Sequence, residues 1–208
     1  MNTTIYSVGH STRSLESFIG LLKDQHIEVV CDVRSQPYSR VTPHFSRDMI
    51  QHELKRAGIV YVFLGNELGA RSNDPSLYVN GKISYDKLAG SKLFQDGLQE
   101  IQKIASGACV TMMCAEGEPL ACHRSILVSR YLRANGFPIA HILRTGAIET
   151  HEETMNRLLR TLGLQEIDMF KSPEEVLAEA YVIQGGRIAY DPAKQLAQLS
   201  ASGGEKVR

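Results

Sequence analysis

The chain has 208 residues, 43% of them hydrophobic, and its 23 lysines and arginines balance its 23 aspartates and glutamates. This length can bury the core of one ordinary domain, and a formal net charge of zero argues against strong non-specific nucleic-acid binding by the whole molecule. No apolar run has the length of a membrane span, and the first residues lack a signal-peptide pattern, so we expect a cytoplasmic protein with reduced thiols and no membrane partner.

The first part of the chain alternates short β-type runs with amphipathic helical patterns. Strands are predicted over residues 5–8, 28–33 and 60–64, with helices capped by Ser14 and Ser46 between them. The second of these runs is almost continuously apolar, which is typical of a parallel strand covered on both faces.

The alternation pauses at residues 77–85, where Asn80-Gly81 predicts a β-hairpin, and then resumes. The resumed pattern first predicts a helix with Phe94, Leu98, Ile101 and Ala105 on one face, followed by a strand over 109–114. It then predicts a helix from near Cys122 to Gly136 and a strand over 138–143. A last helix follows, whose capping box is Thr150 and Glu153.

Beyond residue 163 the pattern changes. Ser172-Pro173-Glu174-Glu175 predicts the start of a short helix, residues 181–190 predict a hairpin around Gly185-Gly186, and residues 200–204 are expected to fray. We therefore predict an α/β domain over residues 1–165 and a C-terminal helix-and-hairpin appendage over 166–208.

The predicted fold is α/β, with an open, mostly parallel five-stranded sheet flanked by helices, a β-hairpin insertion and a small C-terminal appendage. Ligands of such sheets bind beyond the carboxyl ends of the strands. The segments that leave the five predicted strands are 9–13, 34–45, 65–71, 115–123 and 144–149. They are unusually rich in arginine, cysteine, histidine and acidic residues, although polar loops also occur in α/β proteins without a site there.

Three blocks in these regions resemble a known family. They are Ser7-Val8-Gly9-His10-Ser11, Cys31-Asp32-Val33-Arg34-Ser35-Gln36-Pro37, and Cys114-Ala115-Glu116 followed by Cys122-His123-Arg124. Together they resemble the domain of unknown function 488 family over about residues 3–145, and the tail beyond about residue 165 resembles that of its longer members. The resemblance implies an α/β fold with a site at these blocks, and it implies no particular reaction.

Four side chains are the candidate catalytic groups: His10, Glu116, Cys114 and Cys122. Imidazole and carboxylate suit proton transfer, and a thiol becomes nucleophilic where a cation or a helix N-terminus lowers its pKa. The alternatives are that His10 bonds only to the backbone, that Glu116 is a solvated loop acid, and that Cys114 and Cys122 are buried core thiols. We also interpret Cys31 and Cys109 as core thiols. A Cys-x5-Arg phosphatase loop is excluded because position 120 is Leu120.

Seven further side chains are candidates for holding an anionic substrate, because arginine forks match phosphate and carboxylate. They are Arg13, Asp32, Arg34, Arg40, Arg71, His123 and Arg124. Surface salt bridges are the alternative for each arginine, and Asp32 can instead pair with one of them. Consecutive helical residues point about 100° apart, so we expect Cys122 to share the site with either His123 or Arg124, but not with both.

We expect no cofactor. A zinc site built from Cys114, Cys122 and His10 or His123 is the alternative, although the sequence lacks a paired Cys-x2-Cys motif. The leading hypothesis is an enzyme that hydrolyses, or transfers a group of, a phosphorylated or nucleotide-like ligand. A non-catalytic nucleotide or nucleic-acid binding module and a cysteine-based redox or metal domain are the alternatives. The expected partner is an anionic small molecule or a nucleic-acid fragment, and the hairpin near Asn80 is compatible with a lid or with the arm of a homodimer.

Overall fold

A six-stranded, mostly parallel sheet forms the centre of the molecule, which is a computed structural model describing residues 3–164, 171–195 and 197. The strands are β1 (Ile5–Gly9), β2 (Val29–Asp32), β3 (Val60–Phe63), β4 (Tyr78–Val79), β5 (Lys82–Ile83), β6 (Val110–Cys114), β7 (Ile139–Ile142) and β8 (Ile148–Thr150). The sheet order is β3-β2-β6-β1-β7-β8, and β4 and β5 form a separate antiparallel hairpin. All neighbouring pairs in the large sheet are parallel except β7 with β8.

Helices connect these strands. The α-helices are α1 (Leu15–Asp24), α2 (Arg47–Arg56), α3 (Gly65–Leu68), α4 (Tyr85–Gly90), α5 (Lys92–Ala105), α6 (Arg130–Ala134), α7 (His151–Leu162) and α8 (Pro173–Ile188). A π-helix, Arg124–Ser129, runs directly into α6. Single 3-10 turns lie at Pro43–Phe45, Pro75–Leu77 and Pro119–Ala121. Within the part of the chain that the structure describes, no helix is long and apolar enough to cross a bilayer.

The predicted α/β class and the mainly parallel sheet are confirmed, and so is the hairpin insertion at Asn80-Gly81, where both residues have positive φ. The sheet nevertheless has one strand more than predicted. Residues 148 and 149 belong to a predicted loop and Thr150 to a predicted helix cap, yet all three pair antiparallel with β7 at the sheet edge. A strand at the edge of a sheet is less covered than a central strand and can carry polar residues, so it lacks the continuous apolar run by which β2 is recognised.

Local capping bonds fix several helix starts as the sequence predicts. Ser14 accepts a hydrogen bond from the backbone N–H of Ser17 at the start of α1. Thr150 and Ser172 each form a complete capping box, with a glutamate three residues on, at the starts of α7 and α8. Ser46 precedes α2, but its side chain makes no cap bond there.

The prediction of a hairpin over residues 181–190 is wrong. The helix α8 continues through Gly185-Gly186 to residue 188. A Cβ atom on Gly185 would lie only 3.2 Å from the ring of Tyr85, so this glycine lets the helix approach an aromatic side chain and does not form a turn. The tail expected to fray, residues 200–204, lies outside the described residues.

The helix α8 packs on the rest of the molecule through a third apolar cluster, which includes Leu120, Ile126 and Tyr181. The side-chain amide of Gln184 also donates to the carbonyl of Leu120 over 2.6 Å. The division of the chain near residue 165 stays a prediction, but the two predicted parts share these contacts.

The two faces of the sheet are covered by different helices. Side chains of α1 and α2 pack with Val30 and Met113 on one face. Side chains of α5, the π-helix and α6 pack with Cys31 and Met112 on the other. The loops after β1 and β2 therefore leave toward one face, whereas the loop after β6 leaves toward the other. A crevice opens where neighbouring connections diverge in this way, and the polar groups described next lie there.

Candidate functional site

The loops after β1, β2 and β6 are held side by side by backbone pairing that continues beyond the strands. His10 and Ser11 donate to the carbonyls of Cys114 and Ala115, each over 2.9 Å, and Val33 donates to Met113 over 3.0 Å. Polar side chains that are far apart in the chain are thereby fixed along one edge of the sheet.

Gly9 makes the close approach of the first and third loops possible. A Cβ atom at this position would lie 1.8 Å from the carbonyl oxygen of Glu116 and 2.6 Å from its carbonyl carbon. Only glycine fits where two backbones come this close.

Two thiols, a carboxylate and an imidazole form a compact cluster at the end of β6. The sulfurs of Cys114 and Cys122 lie 2.9 and 3.1 Å from Oε2 of Glu116. The same sulfurs lie 3.7 and 3.9 Å from Nδ1 of His123. Both thiols and the imidazole are buried, whereas Glu116 is exposed toward the cavity and turns one carboxylate oxygen inward. We call these four residues the thiol cluster.

The helix predicted from near Cys122 begins two residues later, at Arg124. Cys122 has extended backbone dihedrals, φ −132° and ψ 137°, so the helix has not yet begun at this residue. Cys122 and His123 therefore both face the thiol cluster. Arg124 is fully buried and donates to the carbonyls of Glu116 and Gly117, over 2.6 and 3.4 Å, so it supports the loop beneath the carboxylate. His123 and not Arg124 thus shares the site with Cys122, one of the two pairings that the sequence left open, although the backbone at position 122 is extended and not helical.

The charges of the thiol cluster are strongly coupled. Burial, together with Cys122 and Glu116, raises the pKa of Cys114 well above its usual value. Burial opposes ionisation of Cys122 too, but the hydrogen bond from Cys114 and the nearby Arg124 outweigh it and lower the pKa of Cys122. One negative charge is thus favoured on the pair, at Cys122. Burial also raises the pKa of Glu116, although solvent at the cavity screens this effect.

His123 is oriented by the neighbouring strand. Its Nε2 lies 3.0 Å from the carbonyl oxygen of Val33, and because a carbonyl can only accept, Nε2 carries the proton. The second nitrogen, Nδ1, then points at the two sulfurs. Burial alone would lower the pKa of His123, but its hydrogen bond to Cys122 and the charges of Cys122 and Glu116 raise it.

Arg34 is held next to the thiol cluster by a buried network. Asp32 accepts from Nε and Nη2 of Arg34 over 2.9 and 2.6 Å, and the same carboxylate accepts from the hydroxyl of Tyr61 over 2.7 Å. The remaining arm, Nη1, lies 3.2 Å from Nε2 of His10. The pairing of Asp32 with an arginine, one of the two alternatives from the sequence, is what the structure shows.

His10 contacts the site through Arg34 and does not itself line the cavity. Its Nδ1 bonds to the carbonyl of Ser11 over 2.9 Å, and its ring stacks on Phe45 with centroids 4.2 Å apart. Burial and the charge of Arg34 lower the pKa of His10 to about 4. At neutral pH the ring is therefore uncharged and accepts a hydrogen bond from Arg34.

A cavity of about 200 Å³ opens over the thiol cluster. Of the eleven candidate residues, it is lined by Arg34, Arg71, Cys114, Glu116 and His123. Its other walls are formed by Ser35, Gln36, Ala70, Tyr85, Ala115, Ala121, Ile188 and Tyr190. Sequence reasoning missed Tyr85, Ile188 and Tyr190 because they come from regions predicted as hairpins and show no local polar pattern.

The five candidate arginines do not form one anion site. Arg34 and Arg71 line the cavity, and Arg71 bonds to Gln36 over 2.8 Å with its guanidinium 4.7 Å from the ring centre of Tyr190. Arg13 instead bonds to the carbonyls of Leu143 and Arg144 at the end of β7, and Arg40 is exposed away from the cavity lining. Arg124 is the loop support described above.

Comparison with known proteins gives one match. The family model described as Domain of unknown function DUF488 matches residues 14–131, which is more than half of the chain. This range contains Arg34 and the whole thiol cluster, and it begins after His10. No curated protein and no solved structure matches the sequence. Since the model matches more than half of the chain, including the cavity's central side chains, the chain belongs to the DUF488 family.

Proposed function

We propose that the chain is an enzyme that hydrolyses, or transfers a group of, a small phosphorylated or nucleotide-like substrate bound in the cavity. One observation carries the proposal: the cavity joins two arginines, Arg34 and Arg71, to the carboxylate of Glu116 and the thiol of Cys114. Cavities that combine convergent charged groups with aromatic walls are the usual sites of small ligands.

The arginines supply the binding half of the proposed site. Arg34 is fixed by Asp32 and His10, so little side-chain entropy is lost when it contacts an anion. Arg71 is exposed and adjustable, and Tyr190 beneath its guanidinium offers a flat surface for a base or a sugar. His10 acts here as a positioning residue for Arg34.

Glu116 supplies the reactive half. In the proposed hydrolysis its carboxylate takes a proton from water while the water oxygen attacks the phosphorus or carbonyl centre of the substrate. The bond to the leaving group then breaks, and the proton passes from Glu116 to that group. An alcohol in place of water gives the corresponding group transfer. Arg34 balances the negative charge that develops on the substrate.

Glu116→Gln tests the reactive role against a panel of phosphomonoesters, phosphodiesters and nucleotides. We expect turnover to fall by about 10²–10⁴-fold, the usual contribution of general acid–base catalysis, with substrate binding retained. Glu118→Gln is the matched control, because Glu118 lies two residues away but pairs with Arg157, outside the cavity lining. Binding without turnover of any panel member by the unaltered protein would favour the non-catalytic binding module instead.

Arg71→Ala tests the binding role. A charge-assisted hydrogen bond contributes about 1.5–3 kcal/mol, so we expect KM to rise by about 10–100-fold. Arg56→Ala is the control, since Arg56 is exposed on α2 and pairs with Glu53. Equal KM values for the two variants would contradict the role of Arg71.

A further inference from the structure

We propose that the thiol cluster is a metal centre in which Cys114, Cys122 and His123 bind one transition-metal ion, with Zn²⁺ fitting best. Glu116 lies beside the open fourth position. Two thiolates and an imidazole form a borderline-soft donor set suited to Zn²⁺. This inference is independent of the proposed function, because a bound ion can be measured whether or not a substrate is known.

The distances between donor atoms fit a single ion. The possible ligand atoms of the four residues all lie within 4.8 Å of one another. Zn–S bonds of about 2.3 Å and Zn–N bonds of about 2.0–2.1 Å at tetrahedral angles place sulfur and nitrogen about 3.6 Å apart. The observed separations from Nδ1 of His123 are 3.7 Å to Cys114 and 3.9 Å to Cys122.

The carboxylate has a different relation to the sulfurs. Oε2 of Glu116 lies 2.9 and 3.1 Å from them, closer than the roughly 3.6 Å between two ligands of one tetrahedral ion. It thus lies at hydrogen-bonding distance from both sulfurs and not at the spacing of a further metal ligand. We therefore assign three protein ligands to the ion and place Glu116 next to the fourth position, the pattern of sites that keep one position open.

An outer shell already orients the ligands. Nε2 of His123 donates to the carbonyl of Val33, which fixes the tautomer and turns Nδ1 toward the sulfurs. Histidine ligands of metal ions are typically held by a second hydrogen bond of this kind. Buried Arg124 adds a positive charge that favours thiolates, and it fixes the carbonyl of Glu116. The cavity, lined by Cys114 and His123, gives an ion a path from solvent.

The test begins with the full-length protein, stripped with a chelator and then titrated with Zn²⁺ or Co²⁺. We expect one ion per chain by elemental analysis. With Co²⁺ we expect visible bands of a tetrahedral ion together with sulfur-to-metal charge-transfer absorption. An unchanged spectrum, or no ion retained after gel filtration, would overturn the inference.

Variants identify the ligands. Cys114→Ser, Cys122→Ser and His123→Gln should each weaken Zn²⁺ binding by more than about 100-fold, the upper end of the cost of losing an outer-shell partner. Cys109→Ser is the matched control, because this half-buried cysteine lies outside the thiol cluster and bonds to the carbonyl of Gln25. Glu116→Gln should keep the ion. Equal affinity in all variants would show that the ion binds elsewhere.

A measurement on the unaltered chain tests the assignment even if the ligand variants fail to fold. Zn²⁺ should slow alkylation of Cys114, which lines the cavity, and should leave Cys109 unaffected, with both rates read residue by residue by mass spectrometry. Equal rates with and without Zn²⁺ would contradict the assignment. A bound ion without turnover of any substrate would reject only the proposed function, and full turnover by protein that binds no ion would reject only the metal centre.

Discussion

Gly9→Ala should destabilise the fold and displace the loop that carries Glu116. The new Cβ atom would lie 1.8 Å from the carbonyl oxygen of Glu116. Non-bonded heavy atoms are comfortable at about 3.5 Å, so the loop would have to retreat by roughly 1.7 Å. That movement also breaks the hydrogen bond from buried Arg124 to the same oxygen.

The cost of this substitution can be estimated from its two parts. Overpacking costs about 1–3 kcal/mol, and losing a hydrogen bond to a charged group costs about 1.5–3 kcal/mol. Because the loop relieves part of the overlap as it moves, we expect a loss of about 3–5 kcal/mol in the free energy of unfolding. A displacement of about 1 Å can reduce turnover by about 100-fold, so activity should fall even in the folded fraction.

Chemical denaturation followed by circular dichroism measures the first effect. Gly20→Ala is the control, since Gly20 lies within α1 and a Cβ atom there has no neighbour within 4 Å. Alanine in a helix interior should stabilise by about 0.5–1 kcal/mol. A Gly9→Ala protein with the unfolding midpoint of the wild type would show that the close approach of the two loops constrains nothing.

Three further substitutions test what stabilises the fold. Asp32→Asn leaves the buried Arg34 without its ion pair and should lower the free energy of unfolding, measured by urea denaturation, by about 3–5 kcal/mol. A loss below about 1 kcal/mol would show that the pair is not shielded from water. His151 is buried, and burial lowers its pKa from 6.5 to about 4. Because the unfolded chain binds the proton first, stability should fall by up to about 3 kcal/mol as pH drops from about 6.5 to 4, and His151→Phe should flatten that part of the pH–stability curve. Thr150→Ala removes the N-cap of α7 and should cost about 0.5–2 kcal/mol, with a matching loss of thermal stability in calorimetry.

The regular part of the fold could be predicted because local and long-range preferences agree in it. The apolar runs of β2 and β6 are buried throughout, and the capping boxes at Thr150 and Ser172 begin the helices that they predict. In each case one short window of sequence contains the whole physical cause. The convergence of Arg34 and Glu116 at one edge of the sheet could also be predicted from the sequence, since it depends on the parallel order of the strands.

The remaining features depend on contacts that no short window contains. Gly185-Gly186 resembles a turn, but in the fold Gly185 lies inside a helix and packs close to the ring of Tyr85, a hundred residues earlier. Likewise, the extended backbone at Cys122 follows from the 3-10 turn before it, and it brings His123 to the sulfurs. A helical wheel drawn from Cys122 onward cannot decide between His123 and Arg124 for this reason.

The buried histidines outside the site show the same dependence on tertiary structure. Ser7, His141, His151 and Tyr181 form a continuous hydrogen-bonded chain, with successive separations of 2.6, 2.9 and 2.8 Å. Its members lie on two strands and two helices, and each finds its partner only once these elements have packed. Such a chain satisfies polar groups that would otherwise be costly inside the core.

The wall formed by Ile188 and Tyr190 has a consequence for selectivity. These residues lie beyond the segment 14–131 matched by the family model, whereas the thiol cluster lies within it. Repacking or shortening the C-terminal helix would therefore widen or narrow the entrance while leaving the reactive groups in place. On the proposed function, the width of the entrance and the reactive groups would thus be set by separate stretches of sequence, so that the size of the substrate would vary independently of the thiol cluster.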